Sequence, residues 1–262
     1  MTNTNGAAKM RRMSIEQATL IFSIVCCLIV AGLLKGTIGV GMPVVAMPLL
    51  SLFIDIKSAA MLLSMPLILS NLPQALEGGK TGRCLMQLTP VFLGMIPGLF
   101  LGVRLLLEVD TNDANLIAGI VLISVGTITL LAPKLHVQPR LHAPAGIVFG
   151  LFGGIMGGTA AMAGPIVFIF LIAKGRRGQA FTKEASLYLV ISSGLLAIFL
   201  TTSRHFSAVD VLVSMAAMLP VMLGMRFGEF FGDKIAPELF RKLVLIAVIA
   251  AGTELLRQGL AS

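Results

Sequence analysis

The chain of 262 residues is apolar, with 56% hydrophobic residues, only 12% charged residues and a mean hydropathy of +0.96. A soluble domain normally carries about twice that share of charge, so the composition excludes an ordinary water-soluble fold. The formal net charge of +8 suits loops beside anionic lipid better than a nucleic-acid partner, and no such partner is predicted.

Long runs without Asp, Glu, Lys or Arg follow one another along the chain. The runs 36–54, 58–76 and 185–203 each contain 19 residues, and the run 143–173 contains 31. A helix of about 20 residues matches a hydrocarbon core about 30 Å thick, and lipid requires local satisfaction of backbone polar groups. The sequence therefore predicts an all-α integral membrane protein with ten apolar segments: 18–34, 36–54, 58–76, 84–106, 114–132, 143–157, 159–173, 184–203, 208–232 and 239–256.

Internal similarity divides the chain into two halves. PVFLGMIPGLFLG (90–102) and PVMLGMRFGEFFG (220–232) are identical at eight of thirteen positions, at an offset of 130. Gly126-Thr127 pairs with Gly252-Thr253, and KGTIGVGMP (35–43) has a looser counterpart in GGIMGGTAAMAGP (153–165). Such a pattern indicates duplication. We predict an N-terminal tail at 1–17, a first transmembrane repeat at 18–133, a linker at 134–142 and a second repeat at 143–262.

The number of segments decides how the two repeats are oriented. Five segments per repeat place the second upside down, as in many secondary transporters, whereas one broken span per repeat would give eight spans and parallel repeats. The topology with ten segments places 11 basic residues on one side of the membrane and 7 on the other. The topology with eight spans places 9 on each side. The positive-inside rule favours inverted repeats with both termini outside the cytoplasm, although the basic N-terminal tail argues against that orientation.

Clustered glycines and prolines interrupt two apolar segments. The first cluster is Gly36, Gly39, Gly41 and Pro43, and the second is Gly157, Gly158, Thr159, Gly164 and Pro165. Gly costs about 1 kcal/mol and Pro about 3 kcal/mol inside a helix, so both clusters predict broken helices. A Pro suits the first turn of a new half-helix, whose free N–H groups favour an anion. We predict a site for a small anionic substrate at the two breaks; the alternative is that the glycines serve close helix packing.

Charged residues at membrane depth are further candidates, because each is costly in lipid. Lys35 precedes the first cluster and is predicted to bind the substrate, with snorkelling to the interface as the alternative. Arg226 and Glu229 lie three residues apart on one helix face. Arg226 is therefore a substrate-binding candidate and Glu229 a coupling candidate, and the alternative is an internal ion pair that stabilises the helix.

Enzymatic and metal-dependent functions find no support in the motifs. The three cysteines lack metal-ligand spacing, the spans hold no carboxylate pair and no His at the depth of a Ser, and G-x-x-x-x-G-K-[ST] is absent. The protein is predicted not to be an enzyme and to need no cofactor or metal.

Several motifs resemble the sulfite exporter TauE/SafE family. They are KGTIGVGMPVVAMPLL (35–50), MAGPIVFIFLIAKG (162–175), FTKEASLYLVISSG (181–194) and the Pro-Val-x-Leu-Gly repeats. The resemblance covers nearly the whole chain. It implies a multi-pass permease of a bacterial inner membrane, acting on sulfite, sulfoacetate or another small organosulfur anion. Family members often have a run of glycines at the positions that correspond to 39–42. This chain has Val40 and Met42 among its glycines there, so we expect the site to differ in shape.

Two classes of function remain on sequence grounds. The first is a secondary carrier that exports or exchanges a small anion across the lipid bilayer, either a sulfur anion or a non-sulfur carboxylate. The second is a non-transporting membrane scaffold or assembly partner whose glycines serve only packing. The sequence leaves open whether the protein forms a homo-oligomer.

Overall fold

The computed structural model describes residues 3–39, 41–131, 136–203 and 206–231, together with 249, 252–253, 255–257 and 259–260. Within these ranges the chain is helical and contains no strand. The helices are α1 (Asn3–Ile38), α2 (Met42–Ser51), α3 (Ile56–Leu76), α4 (Thr81–Glu108), α5 (Thr111–Leu131), α6 (His142–Ala160), α7 (Gly164–Ala173), α8 (Gly178–Thr202), α9 (Ala208–Ala216) and α10 (Met218–Phe231). Gly232 and most of the predicted tenth segment, 239–256, lie outside the described residues.

Six stretches of helix in the described part of the chain are long and apolar enough to cross a membrane. They are Glu16–Thr37, Ile56–Leu76, Thr81–Glu108, Pro139–Ala160, Gly178–Thr202 and Ala208–Phe230. Large apolar side chains such as Phe22 and Met86 point outward from them, as lipid-facing side chains do. Length and composition together indicate a multi-pass membrane protein. Helix α1 begins at Asn3, within the segment 1–17 that the sequence predicted as an N-terminal tail.

The short helix α2 turns back along α1 instead of continuing it. A Cβ at Gly41 would lie 3.7 Å from Leu34 Cδ2, while the Cys27 thiol donates to the Leu49 carbonyl oxygen over 3.8 Å. Later residues of α2 therefore contact earlier residues of α1, so the two helices run antiparallel. At about 1.5 Å per residue, the ten residues of α2 extend only about 15 Å, half the thickness of a hydrocarbon core.

The short helix α7 packs against α6 in the same way. A Cβ at Gly157 would lie 2.8 Å from Ala163 Cβ, and a Cβ at Gly146 would lie 3.5 Å from Phe170 Cζ. Each short helix thus forms a hairpin with the long helix before it. At these two positions the chain does not form a single span with a break in its middle.

Both hairpins turn on residues with left-handed backbone. In the first, φ is +84° at Gly39 and +97° at Gly41, a region that glycine adopts without the steric cost of a Cβ. In the second, Ala161 has φ +52° and ends α6. Pro43 and Pro165 occupy the first turns of α2 and α7, as the sequence predicted.

The breaks are narrower than the glycine clusters that predicted them. Gly36 lies within α1, and Gly157 and Gly158 lie within α6. A Cβ at Gly36 would lie 2.2 Å from the Met225 carbonyl oxygen, and one at Gly158 would lie 2.5 Å from the Val103 backbone nitrogen. These glycines allow helices to approach closely, which was the alternative interpretation of the clusters.

Backbone contact at glycines holds α4 against α6. Added Cβ atoms would lie 1.9 Å from the Ile147 carbonyl oxygen at Gly94 and 2.2 Å from that of Leu151 at Gly98. Residue numbers rise together on the two helices, so α4 and α6 run parallel.

The pair formed by α1 and α10 has the same construction. An added Cβ would lie 2.1 Å from the Ile29 carbonyl oxygen at Gly224 and 2.2 Å from that of Leu33 at Gly228. These two helices also run parallel, and small residues again replace side-chain packing with backbone contact.

Between these two pairs, α3 packs against α8. Ser186 Oγ donates to Gln74 Oε1 over 2.9 Å, and Lys183 donates to the carbonyl oxygens of Glu77 and Gly79. Numbers fall on α3 as they rise on α8, so the two helices run antiparallel. Their buried faces carry most of the polar side chains discussed below.

Candidate functional site

Lys35 lies in the last turn of α1 and is only 2% exposed. Its ammonium nitrogen donates a hydrogen bond of 2.6 Å to Asn71 Oδ1 on α3. The Asn71 amide group in turn donates to the Leu67 carbonyl oxygen over 2.7 Å, which directs the amide oxygen toward Lys35. The Lys35 side chain therefore points into the protein and does not extend to the interface.

Two more polar residues continue this contact along α3 and α8. A Cβ at Gly39, in the first break, would lie 3.8 Å from Gln74 Nε2, and Gln74 accepts the hydrogen bond from Ser186. Lys35, Asn71, Gln74 and Ser186 form what we call the polar cluster. Beside it, Ser70 is 4% exposed and its Oγ has no hydrogen-bond partner.

The charge of Lys35 is incompletely compensated. Burial of an ion costs several kcal/mol even after relaxation. A hydrogen bond to a charged group contributes about 1.5–3 kcal/mol, and a cation at a helix C-terminus about 0.3–2 kcal/mol. Within the described ranges no carboxylate forms an ion pair with Lys35. An anion of single charge beside Lys35 would compensate the positive charge of the polar cluster.

The second break lies against the middle of α8. Gly157, Ala161 and Ala163 face Ser192 and Ser193 across a gap too narrow to admit a water molecule. The break is therefore closed in this conformation. Of the other predicted residues, Thr159 donates to the Ile155 carbonyl oxygen over 2.9 Å, and a Cβ at Gly164 would lie 2.8 Å from the Phe168 ring.

The two breaks approach the same part of the α3–α8 pair. Gln74 and Ser186 are in contact, and the helices are antiparallel. One turn from that contact, Ser70 and Asn71 on α3 lie at the height of residues 189–190 on α8. Ser192 follows within another turn. Buried polar side chains from both helices thus lie within about two turns of α8, with the first break near one end of this stretch and the second break near the other.

Arg226 and Glu229 lie elsewhere. Both side chains are exposed on α10, whose glycines Gly224 and Gly228 face α1. The described residues show no ion pair between Arg226 and Glu229. The structure brings Lys35 together with the first break, but it does not bring Arg226 or Glu229 into the polar cluster.

The sequence interpretation missed the polar partners on α3 and α8. Asn71 and Gln74 lie three residues apart, which places them on one helix face. Both interrupt an otherwise apolar uncharged run, and that combination is a usable signal. Glu184 was also missed, because it stands at the end of a segment next to basic residues and reads as a solvated charge, yet it is 3% exposed.

The comparison with family models identifies the chain. A search of curated proteins and a search of solved structures each gave no match. The family model described as sulfite exporter TauE/SafE matches residues 24–255, which include α2 to α10 and both breaks. Since that match covers most of the 262 residues, the chain belongs to the sulfite exporter TauE/SafE family.

Proposed function

We propose that the protein is a secondary carrier that exports or exchanges a small anion across a bacterial inner membrane. Sulfite, sulfoacetate or a related organosulfur anion is the proposed substrate. The family is a transporter family and supports sulfur anions as the substrate class. The observation that carries the proposal is Lys35, a cation buried at the first helix break whose partner among the described residues is a neutral amide oxygen.

The chemistry of the polar cluster suits an oxyanion. Lys35 supplies the charge, while the Asn71 and Gln74 amides and the Ser186 hydroxyl supply donors that reorient when a ligand enters. The N-termini of α2 and α7 carry no side-chain cap in the structure. Their free N–H groups add the partial positive charge of a helix N-terminus to the same region. The two breaks and the polar cluster together constitute the proposed substrate site.

We further propose that the two halves are inverted repeats that exchange access to this site. Three matches at an offset of 122 support the relationship: Pro43 with Pro165, Ser64 with Ser186, and Ser70 with Ser192. In the packing, α4 on α6 has the same glycine-to-backbone contacts as α10 on α1.

Helix directions support the inversion. Phe92 and Phe100 of α4 contact Tyr188 and Phe199 of α8 in that order, so α4 runs parallel to α8 and antiparallel to α3. Ile24 and Lys35 of α1 lie beside Met61 and Asn71 of α3 in that order, so α1 runs parallel to α3. Since α6 runs parallel to α4, the first helices of the two halves, α1 and α6, run in opposite directions. Such an arrangement is common in carriers in which one repeat moves against the other around a fixed midplane site.

The driving force need not involve ATP. An interior-negative membrane potential favours exit of an anion by about 2.3 kcal/mol per charge at 100 mV. Export down this potential, or exchange for a second anion, is sufficient for the proposed function. The narrow gap at Ser192 fits a closed conformation of the transport cycle.

Counterflow of labelled sulfite or sulfoacetate in proteoliposomes tests the proposal. We expect the wild-type protein to exchange labelled for unlabelled anion. Lys35→Met should lower the initial rate about ten- to hundredfold, because it removes one charge-assisted interaction with the substrate. Arg104→Gln is the matched control, since it removes one positive charge at an exposed position that pairs with Glu108.

Two results would contradict the proposal. Exchange that is unaffected by Lys35→Met would show that Lys35 does not bind the anion. A wild-type protein that exchanges neither sulfur anions nor carboxylates would favour the scaffold alternative. Competition by small carboxylates, with no competition by sulfonates, would retain the carrier and change its substrate class.

A further inference from the structure

A pocket of about 450 Å³ opens where α3 ends and where α4 and α8 begin. Its lining includes the turn residues Gly78 and Gly79 and the charged residues Glu77, Lys80, Lys183 and Glu184. None of the four residues of the polar cluster lines this pocket. Its most buried charged residue is Glu184, which is 3% exposed.

The two carboxylate oxygens of Glu184 have different surroundings. Oε1 lies 2.7 Å from Arg176 Nε, at an angle that does not form a hydrogen bond. Arg176 uses another nitrogen, Nη2, to donate to Gln87 Oε1 over 2.5 Å. Glu184 Oε2 is buried and has no hydrogen-bond partner within the part of the chain that the structure describes. A buried carboxylate oxygen without a donor is a costly arrangement, and a proton on that oxygen would relieve it.

From Glu184, polar side chains recur along α8 toward the second break. Tyr188 lies one turn farther along, is completely buried, and its hydroxyl group has no hydrogen-bond partner among the described residues. Ser192 lies one further turn along the same face and lines the gap at the second break. Positions i, i+4 and i+8 share a helix face. These three residues form what we call the α8 ladder, which lies along α8 between the pocket and the second break.

We propose that Glu184 is a proton-binding site whose protonation promotes anion binding, so that a proton and an anion cross the membrane together in either direction; this inference rests on the proposed function. In this coupled mode no net charge moves, so an outward gradient of the anion, and not the membrane potential, drives export. A proton from water in the pocket adds to Glu184 Oε2 and converts the carboxylate to a neutral acid. No other bond changes. Arg176, whose Nε lies 2.7 Å from Glu184 Oε1, is then no longer paired with a negative charge, and its positive charge beside Glu184 favours entry of an anion. Proton and anion binding therefore assist each other, and by reciprocity the bound anion favours protonation of Glu184.

Charged groups surround Glu184 from several elements. Arg176 and Lys174 approach it from the loop between α7 and α8, and Arg176 forms an ion pair with it. The remaining charged or titratable groups near the pocket come from the α3–α4 turn, α4 and α8, and they are Glu77, Lys80, Cys84, Lys183 and Tyr188. Lys183 is engaged with the Glu77 and Gly79 carbonyl oxygens.

Two measurements on the full-length reconstituted protein test the inference. Infrared difference spectra recorded between about pH 5 and about pH 8 report a protonated carboxylic acid directly, without any substrate. We expect a carboxylic-acid band in the wild type that Glu184→Gln removes. Glu108→Gln serves as the control, because Glu108 is exposed and should leave the band unchanged.

Transport of methanesulfonate, which does not titrate in this range, supplies the second measurement. An imposed inward proton gradient should raise wild-type uptake about tenfold over exchange without a gradient. Glu184→Gln should lose this stimulation and keep anion exchange, whereas Tyr188→Phe should slow the stimulated uptake only. Glu108→Gln should behave as wild type.

The possible failures are distinguishable. A band that persists in Glu184→Gln refutes Glu184 as the proton site, whether or not any anion is carried. Stimulation that persists in Glu184→Gln refutes its coupling role. A wild type with no anion flux refutes the proposed function and the coupling together, while the infrared band still decides whether Glu184 binds a proton.

Discussion

The ammonium nitrogen of Lys35 lies 2.6 Å from the side-chain oxygen of Asn71, and neither residue is exposed to solvent. This contact joins the last turn of α1 to the last two turns of α3, beside the first helix break. The charge of a cation in such surroundings can be compensated by a carboxylate of the protein or by an anion that binds from outside. Within the described ranges the protein supplies an amide.

The first prediction exploits this choice. Asn71→Asp places a carboxylate where the amide oxygen now contacts Lys35, so an internal ion pair replaces the proposed substrate. We expect anion exchange to fall at least about tenfold, because the new carboxylate competes with the anion and repels it. The thermal midpoint should not fall. Asn112→Asp, with the same change of charge at an exposed site on α5, should leave exchange unaltered. Full exchange by Asn71→Asp would argue against an anion at Lys35.

The second prediction concerns packing glycines. Gly36→Ala forces a methyl group to within 2.2 Å of the Met225 carbonyl oxygen, so α1 and α10 must separate. We expect a loss of about 1–3 kcal/mol in stability. Gly194→Ala, within α8, meets no atom within 4 Å and should gain about 0.5–1 kcal/mol from helix propensity. Thermal denaturation followed by circular dichroism measures both. Equal midpoints for the two variants would contradict the role assigned to Gly36.

The third prediction concerns the breaks themselves. Gly41 has φ +97°, which a β-branched residue adopts only at a cost of about 1–2 kcal/mol, and a Cβ at Gly164 contacts the Phe168 ring. We expect Gly41→Val and Gly164→Val to abolish exchange while part of the protein still folds, because each displaces the start of a short helix. Gly82→Ala, at the start of α4 with open space around it, is the control for exchange. Normal flux in both Val variants would remove the breaks from the site.

The fourth prediction ranks the two basic candidates. Arg226 is exposed on α10, whereas Lys35 is buried in the polar cluster. We therefore expect Arg226→Gln to retain more exchange activity than Lys35→Met, since an exposed charge contributes less to a bound anion. Measured side by side at equal protein density, the opposite order would show that Arg226 carries the site. Glu229→Gln, assayed under a proton gradient beside Glu184→Gln, compares the two coupling candidates.

Particular residues show how far sequence reasoning reaches. The glycine and proline clusters predicted two helix breaks, and the structure has them at 39–41 and 161–163. The clusters also included Gly36, Gly157 and Gly158, which lie inside helices. A glycine that permits a turn and a glycine that permits close packing look identical in a sequence, because both reflect the absence of a Cβ. Only the neighbouring helix separates the two uses.

The contact partners of buried polar residues could not be predicted from the sequence. Ser186 contacts Gln74 across 112 residues of chain, and Lys35 contacts Asn71 across 36. Periodicity places each residue on a face of its own helix, but it does not say which helix lies opposite. Glu184 illustrates the consequence, since its segment position suggests a solvated charge and its packing against Arg176 makes it a buried one.

The amino-acid sequence alone determined that this chain lies in a membrane as helices, and where two of its apolar segments break. Those properties follow from local chemistry, namely the length of uncharged runs and the backbone preferences of Gly and Pro. The tertiary structure decided which polar groups meet Lys35, which glycines pack against a backbone, and which carboxylate is buried. These depend on contacts between distant segments, where burial changes the cost of a charge and a single neighbour decides whether it is compensated.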